Sequence, residues 1–285
     1  MTFGPLVSTE WLANELDAKD LVIFDASVYL PNESKDAKAE YERTHIPGAR
    51  FFDIDEVSDQ DTTLPHMVPS QGRFARLVGE LGVSNQSRVV VYDQKGLFSA
   101  ARVWWLFRLF GHDHVAVLDG GLPKWIAEQR ATEQGASRSS PAAAPFQATF
   151  RARMRRGLGD LQANLDSHAE QVLDARAANR FEGVVPEPRA GLASGHIPGS
   201  FNLPYTELLQ PNGTFKPAEA LRARFAAAGA DGSRPVVTSC GSGVTAAVLL
   251  LGMAIAGLPE GALYDGSWTE WGSREDTPKA IGKEN

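Results

Sequence analysis

The chain has 285 residues, enough for about two domains at roughly 150 residues each. Hydrophobic residues make up 43% and charged residues 22%, a globular balance that excludes a disordered or collagen-like chain. Lys and Arg number 28 against 35 Asp and Glu, so the formal charge is −7, and a general nucleic-acid binder, which needs clustered cations, is not expected.

Cys240 is the single cysteine, which excludes an internal disulfide and a cysteine-rich zinc site. The six histidines show no His-Glu-x-x-His spacing, so neither a metal nor another cofactor is expected. The opening residues Met1-Thr2-Phe3-Gly4-Pro5 lack the basic-then-apolar layout of a secretory leader, and the cytoplasm is the expected compartment.

In chain order, short β-branched runs alternate with helix-like segments. Residues 89–92 read as a strand, the aromatic stretch 104–107 falls in the helical segment after it, and 116–118 read as the next strand. Further on, 235–238 read as a strand and the apolar run 244–258 as a helix. That run is shorter than the ~20 residues a bilayer requires, so a buried helix and no membrane contact are expected. Strand-then-helix alternation predicts an α/β fold around mainly parallel sheets, with functional loops at the carboxyl ends of strands.

The chain is also written twice. Val22-Ile23-Phe24-Asp25-Ala26 corresponds to Val172-Leu173-Asp174-Ala175, and His45-Ile46-Pro47-Gly48 to His196-Ile197-Pro198-Gly199. Val89-Val90-Val91-Tyr92-Asp93 corresponds to Val236-Val237-Thr238-Ser239-Cys240, and Asp119-Gly120-Gly121 with Trp125 to Asp265-Gly266-Ser267 with Trp271. Four anchors in one order predict two homologous domains, 1–135 and 154–285, each a mainly parallel sheet flanked by helices. The Ser-, Pro- and Ala-rich stretch within 136–153 reads as the linker. His45 and His196 occur in both copies and read as turn-stabilising residues, and Trp104, Trp105, Phe107 and Phe110 as core or interdomain packing.

The chemistry points to Cys240. Thr238-Ser239-Cys240-Gly241-Ser242-Gly243-Val244-Thr245 passes from strand to helix through two glycines, which let consecutive N–H groups curl inward. The following helix adds its positive end, and both effects favour an anion at sulfur. Three other readings compete. A lone cysteine is commonly just buried. Gly241-Ser242-Gly243-Val244-Thr245-Ala246 also satisfies a G-x-G-x-x-A dinucleotide fingerprint, but the counterpart loop at Asp93-Gln94-Lys95 lacks those glycines. A cysteine phosphatase would need an arginine where Ala246 stands.

Cys240-Gly241-Ser242-Gly243-Val244-Thr245-Ala246 resembles the catalytic loop of tandem rhodanese-type sulfurtransferases. The resemblance extends over Phe51-Phe52-Asp53-Ile54-Asp55, Leu64-Pro65-His66-Met67, Ser99-Ala100-Ala101-Arg102-Val103-Trp104-Trp105, Arg180-Phe181, Glu187-Pro188-Arg189 and Tyr264-Asp265-Gly266-Ser267-Trp268. It implies a first domain without catalysis, where Asp93 stands in place of Cys240. The uncharged loop resembles the branch using 3-mercaptopyruvate, since thiosulfate-preferring members carry cations after the cysteine. The implied reaction moves sulfur through a Cys240 persulfide to a thiol acceptor, such as thioredoxin or a small thiol, or to cyanide, and releases pyruvate. Thiosulfate:cyanide transfer and a non-turnover sulfur-carrier module are the alternatives.

The resemblance further implies that Arg180 and Arg189 hold the donor carboxylate and that Gly241, Ser242, Gly243, Val244 and Thr245 line the donor site. It implies proton movement through Ser242, His66 and Asp55, with His66 and Asp55 supplied by the first domain across a cleft. Arg176 reads as structural, pairing with a carboxylate near the loop. With no other cysteine present, any thiol acceptor must bring its own sulfur.

Overall fold

The computed structural model describes residues 3–136 and 145–283. Residues 137–144, within the expected linker, lie outside the described residues. The chain divides into two compact units: one comprises residues up to Asp61, Val68–Arg151 and Pro211–Thr214, and the other Thr62–Met67, Ala152–Gln210 and the residues from Phe215 onward.

The first unit holds five strands, β1 (Leu6–Val7), β2 (Leu21–Asp25), β3 (Arg50–Phe51), β4 (Arg88–Tyr92) and β5 (Val115–Leu118). The second holds β6 (Arg155–Arg156), β7 (Gln171–Asp174), β8 (Phe201–Asn202), β9 (Val236–Ser239) and β10 (Ala262–Tyr264). The sheet orders are β1-β5-β4-β2-β3 and β6-β10-β9-β7-β8, the same topology twice. Every pairing in both sheets is parallel. The central strands are apolar on both faces because helices cover each side: Val89, Val90, Val91 and Tyr92 are all fully buried.

The helix after β4, Ala100–Leu109, buries Trp104, Trp105 and Phe107, and the Phe107 ring packs with Phe24, Phe52 and Phe74 of the first unit. The helix after β9, Ala246–Ala256, is buried along almost its whole length and ends at Gly257, whose φ of +69° is the left-handed stop a glycine accepts freely. Its 11 residues are too few to span a bilayer, and no described helix is long and apolar enough to cross a membrane.

The repeated histidines clip the tail of each repeat to its body. His45 Nδ1 lies 2.9 Å from the Tyr41 carbonyl, and the two rings stack at 4.2 Å. His196 does the same with Phe181, at 2.8 Å to the carbonyl and 3.7 Å between rings. Each histidine backbone then forms an antiparallel bridge to the tail, His45 with Glu133 and His196 with Ala280. Trp125 and Trp271 donate their indole N–H groups to tail carbonyls at Ala131 and Pro278, both at 2.7 Å.

Candidate active site

Cys240 follows the last residue of β9 directly, at the carboxyl end of a central parallel strand, and is 2% exposed. Five residues separate it from the start of the helix at Ala246. Gly243 takes a φ of +77°, a turn that a residue with a Cβ adopts only at a cost. Gly241, Ser242, Gly243, Val244 and Thr245 form the connection between strand and helix, with Ser242, Gly243 and Val244 buried.

The first turn of the short helix after β10, Ser267–Trp271, fastens the start of this loop. The Ser267 hydroxyl accepts the Cys240 N–H at 3.2 Å and donates to the Tyr264 carbonyl at 2.9 Å. The Trp268 N–H donates to the Cys240 carbonyl at 3.0 Å. Thr269 gives both its N–H (2.8 Å) and its hydroxyl (2.6 Å) to the Gly241 carbonyl. Ser267 makes these contacts from a φ of +49°, fully buried. The left-handed region costs a non-glycine residue about 1–2 kcal/mol.

Arg180 lies against the same loop. A Cβ built on Gly241 would sit 3.1 Å from an Arg180 terminal nitrogen, so the absent side chain lets the guanidinium approach the backbone. Arg180 is held from behind by Glu187, through its Nε at 3.2 Å and through a terminal nitrogen. The Glu187 carboxylate is buried and also accepts from Arg176 at 2.9 Å. Arg176 in turn pairs with Asp174 at 2.6 Å, donates to the Gly195 carbonyl at 2.8 Å and lies over the Trp268 ring at 4.6 Å. Two carboxylates and two guanidiniums thus form a chain of alternating charge ending at the Cys240 loop. Burying those charges is tolerable because each is paired. Arg189 is half-buried, two residues beyond Glu187.

His66 belongs by its packing to the second unit, although the sequence carries it within the first repeat. Its segment, Thr62–Met67, clusters with that unit, and its Nδ1 lies 3.1 Å from the Ser242 hydroxyl with both side chains buried. His66 also takes a φ of +62°. Asp55 belongs to the first unit, in the first turn of the helix Ile54–Val57, where its N–H donates to Asp53 Oδ1 at 3.0 Å.

Sequence reasoning assigned no role to Glu187, Ser267 or Thr269. Glu187 and Ser267 fall inside stretches that carry the resemblance, but their contacts depend on which loops the fold brings together. A cavity of about 370 Å³ in the first unit, lined by Tyr41, Phe51, Asp53, Glu56 and others, contains none of the candidate residues.

The counterpart of the Cys240 loop is organised around a carboxylate. Asp93 is fully buried, and its Oδ2 accepts the N–H groups of Phe98, Ser99 and Ala100 at 2.8, 2.9 and 2.9 Å. Its Oδ1 accepts the Lys95 N–H at 2.9 Å.

Two copies of one parallel α/β design, one ending its central strand in a cysteine under a glycine loop, agree with the comparisons to known proteins. The rhodanese-like domain family matches residues 8–128 and again 158–274. The chain belongs to the rhodanese-like sulfurtransferase family, with two of its domains in tandem. It is 45% identical to 3-mercaptopyruvate sulfurtransferase of Rattus norvegicus, over 98% of this chain and 95% of that protein. It is 44% identical to thiosulfate sulfurtransferase of Bos taurus, over 94% and 92%. The crystal structure of the 3-mercaptopyruvate sulfurtransferase SseA of Escherichia coli superposes with a TM-score of 0.84 at 40% identity, covering 93% of this chain and 99% of that one.

Proposed function

We propose that this sulfurtransferase takes sulfur from 3-mercaptopyruvate onto Cys240 and passes it to a thiol or to cyanide. The observation that carries the reading is the Arg180 guanidinium lying against Gly241, beside a cysteine loop that has no charge of its own. A donor with one carboxylate then meets one arginine fork, with Arg189 as the second contact, and no further cation is required.

The Cys240 thiolate attacks the donor sulfur. The bond between that sulfur and C3 breaks, its electron pair leaves as the pyruvate enolate, and the transferred sulfur remains on the enzyme as a persulfide. The enolate takes a proton and departs as pyruvate. His66 and Ser242, in hydrogen-bond reach of each other, supply that proton and receive one from the incoming acceptor. Asp55 is assigned to the same relay on the resemblance alone. The N–H groups of residues 241–245 stabilise the persulfide anion. The acceptor thiolate attacks the outer sulfur and regenerates Cys240, so the kinetics are ping-pong. Thioredoxin or a small thiol serves as acceptor, and a lone reactive thiol of this kind suits the reducing cytoplasm.

Pyruvate release by purified protein from 3-mercaptopyruvate, with and without a reduced thiol acceptor, tests the reading. Stoichiometric release without acceptor and catalytic release with it are expected. A second reading, thiosulfate as donor, draws on the 44% identity to the bovine thiosulfate sulfurtransferase. Comparing kcat/KM for the two donors decides between them, and a preference for thiosulfate rejects the first.

A further inference from the structure

We propose that Ser267 is a positioning residue for the Cys240 nucleophile, an inference that rests on the role given to Cys240 above. Both units begin the helix after their last strand with a left-handed residue, Gly121 at φ +55° and Ser267 at φ +49°. In the first unit glycine is obligatory, because a Cβ there would meet the carbonyl oxygens of Asp93 and Gly96 at 2.5 and 2.6 Å. Six residues connect Asp93 to its helix at Ala100, one more than connect Cys240 to its helix. The shorter loop leaves room for a side chain at 267, and the residue found there keeps an unfavourable backbone conformation that glycine would relieve.

The hydroxyl accounts for that choice. It accepts a hydrogen bond from the N–H of Cys240 and donates one to the Tyr264 carbonyl, tying the nucleophile to the end of the neighbouring strand. Asp93 needs no such tie, since its own carboxylate gathers four loop N–H groups. A thiol is a poor acceptor and cannot organise its loop in that way. Ser267 touches neither donor nor acceptor in this scheme. It acts through the orientation of the Cys240 backbone, and therefore of Sγ.

Two variants separate positioning from bulk stability. S267A removes the hydroxyl and keeps the strain, whereas S267G removes both, so S267G unfolds at the higher temperature of the two. If Ser267 positions Cys240, kcat with 3-mercaptopyruvate falls at least tenfold in both variants. KM stays within twofold in both, and the rate of Cys240 alkylation by iodoacetamide falls in parallel. Activity that instead follows the melting order, with S267G near native and S267A low, overturns the proposal, as does native kcat in both. C240S is the control: if it retains turnover, the nucleophile assignment fails and this inference with it, whereas an inactive C240S beside a fully active S267G defeats this inference alone.

Discussion

Asp93 and Cys240 stand at the same place in two copies of one fold, directly after the central strand at its carboxyl end. In the first unit a buried carboxylate supplies the anion permanently, bonded to Lys95, Phe98, Ser99 and Ala100. In the second a thiol holds that place, and a charge there must come from ionisation or from a transferred sulfur. On the proposed function, the same strand end is filled by a carboxylate for stability in one copy and left to a thiol for chemistry in the other. The supporting carboxylates differ in the same sense. Asp174 is paired with Arg176, while at the corresponding position Asp25 is met by the neutral groups of Ser27 and Gln94.

The comparison is sharpest if the two anion sites are removed in turn. C240S is expected to abolish pyruvate release while leaving the melting profile unchanged, and residual turnover at native rate rejects the assigned nucleophile. D93A should do the reverse. Three buried N–H groups and that of Lys95 lose their acceptor, so the first unit loses about 2–4 kcal/mol, seen as an earlier calorimetric transition, with turnover per folded molecule retained. R180A is expected to lower kcat/KM for 3-mercaptopyruvate by about 10- to 100-fold, as a charge-assisted bond worth roughly 1.5–3 kcal/mol disappears. The loss for thiosulfate should be smaller, and equal losses count against carboxylate recognition.

The smallest effect concerns Asp25. Burial pushes its carboxyl up to about 6 from the ordinary carboxylate range, against the hydrogen bonds from Ser27 and Gln94. The folded state therefore binds this proton more tightly than the unfolded chain. Its contribution is fully present below about pH 4 and is lost as pH rises through 6. D25N should flatten that window, removing a fall in Tm of about 3 °C between pH 4 and 6.5. An unchanged slope in the variant would show that another group sets it.

Much of this was legible in the amino-acid sequence. The four ordered anchors predict the duplicated sheet, because strands buried on both faces must be β-branched runs and the turns between them need His-Ile-Pro-Gly and Asp-Gly. The glycines around Cys240 mark the loop, because their spacing encodes its backbone directly. Other roles depend on contacts between distant segments. Glu187 reads as an ordinary surface acid until Arg176 and Arg180 are seen converging on it. The Ser267 hydroxyl acquires meaning only once the turn after β10 docks beside β9. His66 sits in the first repeat by number and in the second unit by packing, a membership no local pattern records.

The parallel topology has a consequence for biosynthesis. β6 at Arg155–Arg156 finds its neighbour only in β10 at Ala262–Tyr264, and Cys240 and Gly241 receive their ties from Ser267, Trp268 and Thr269 later still. Such distant pairings form slowly. A nascent chain emerging from the ribosome therefore carries an unfastened Cys240 loop until residue 269 has been added, so the thiol is fixed in place only after nearly all of its own unit has been made.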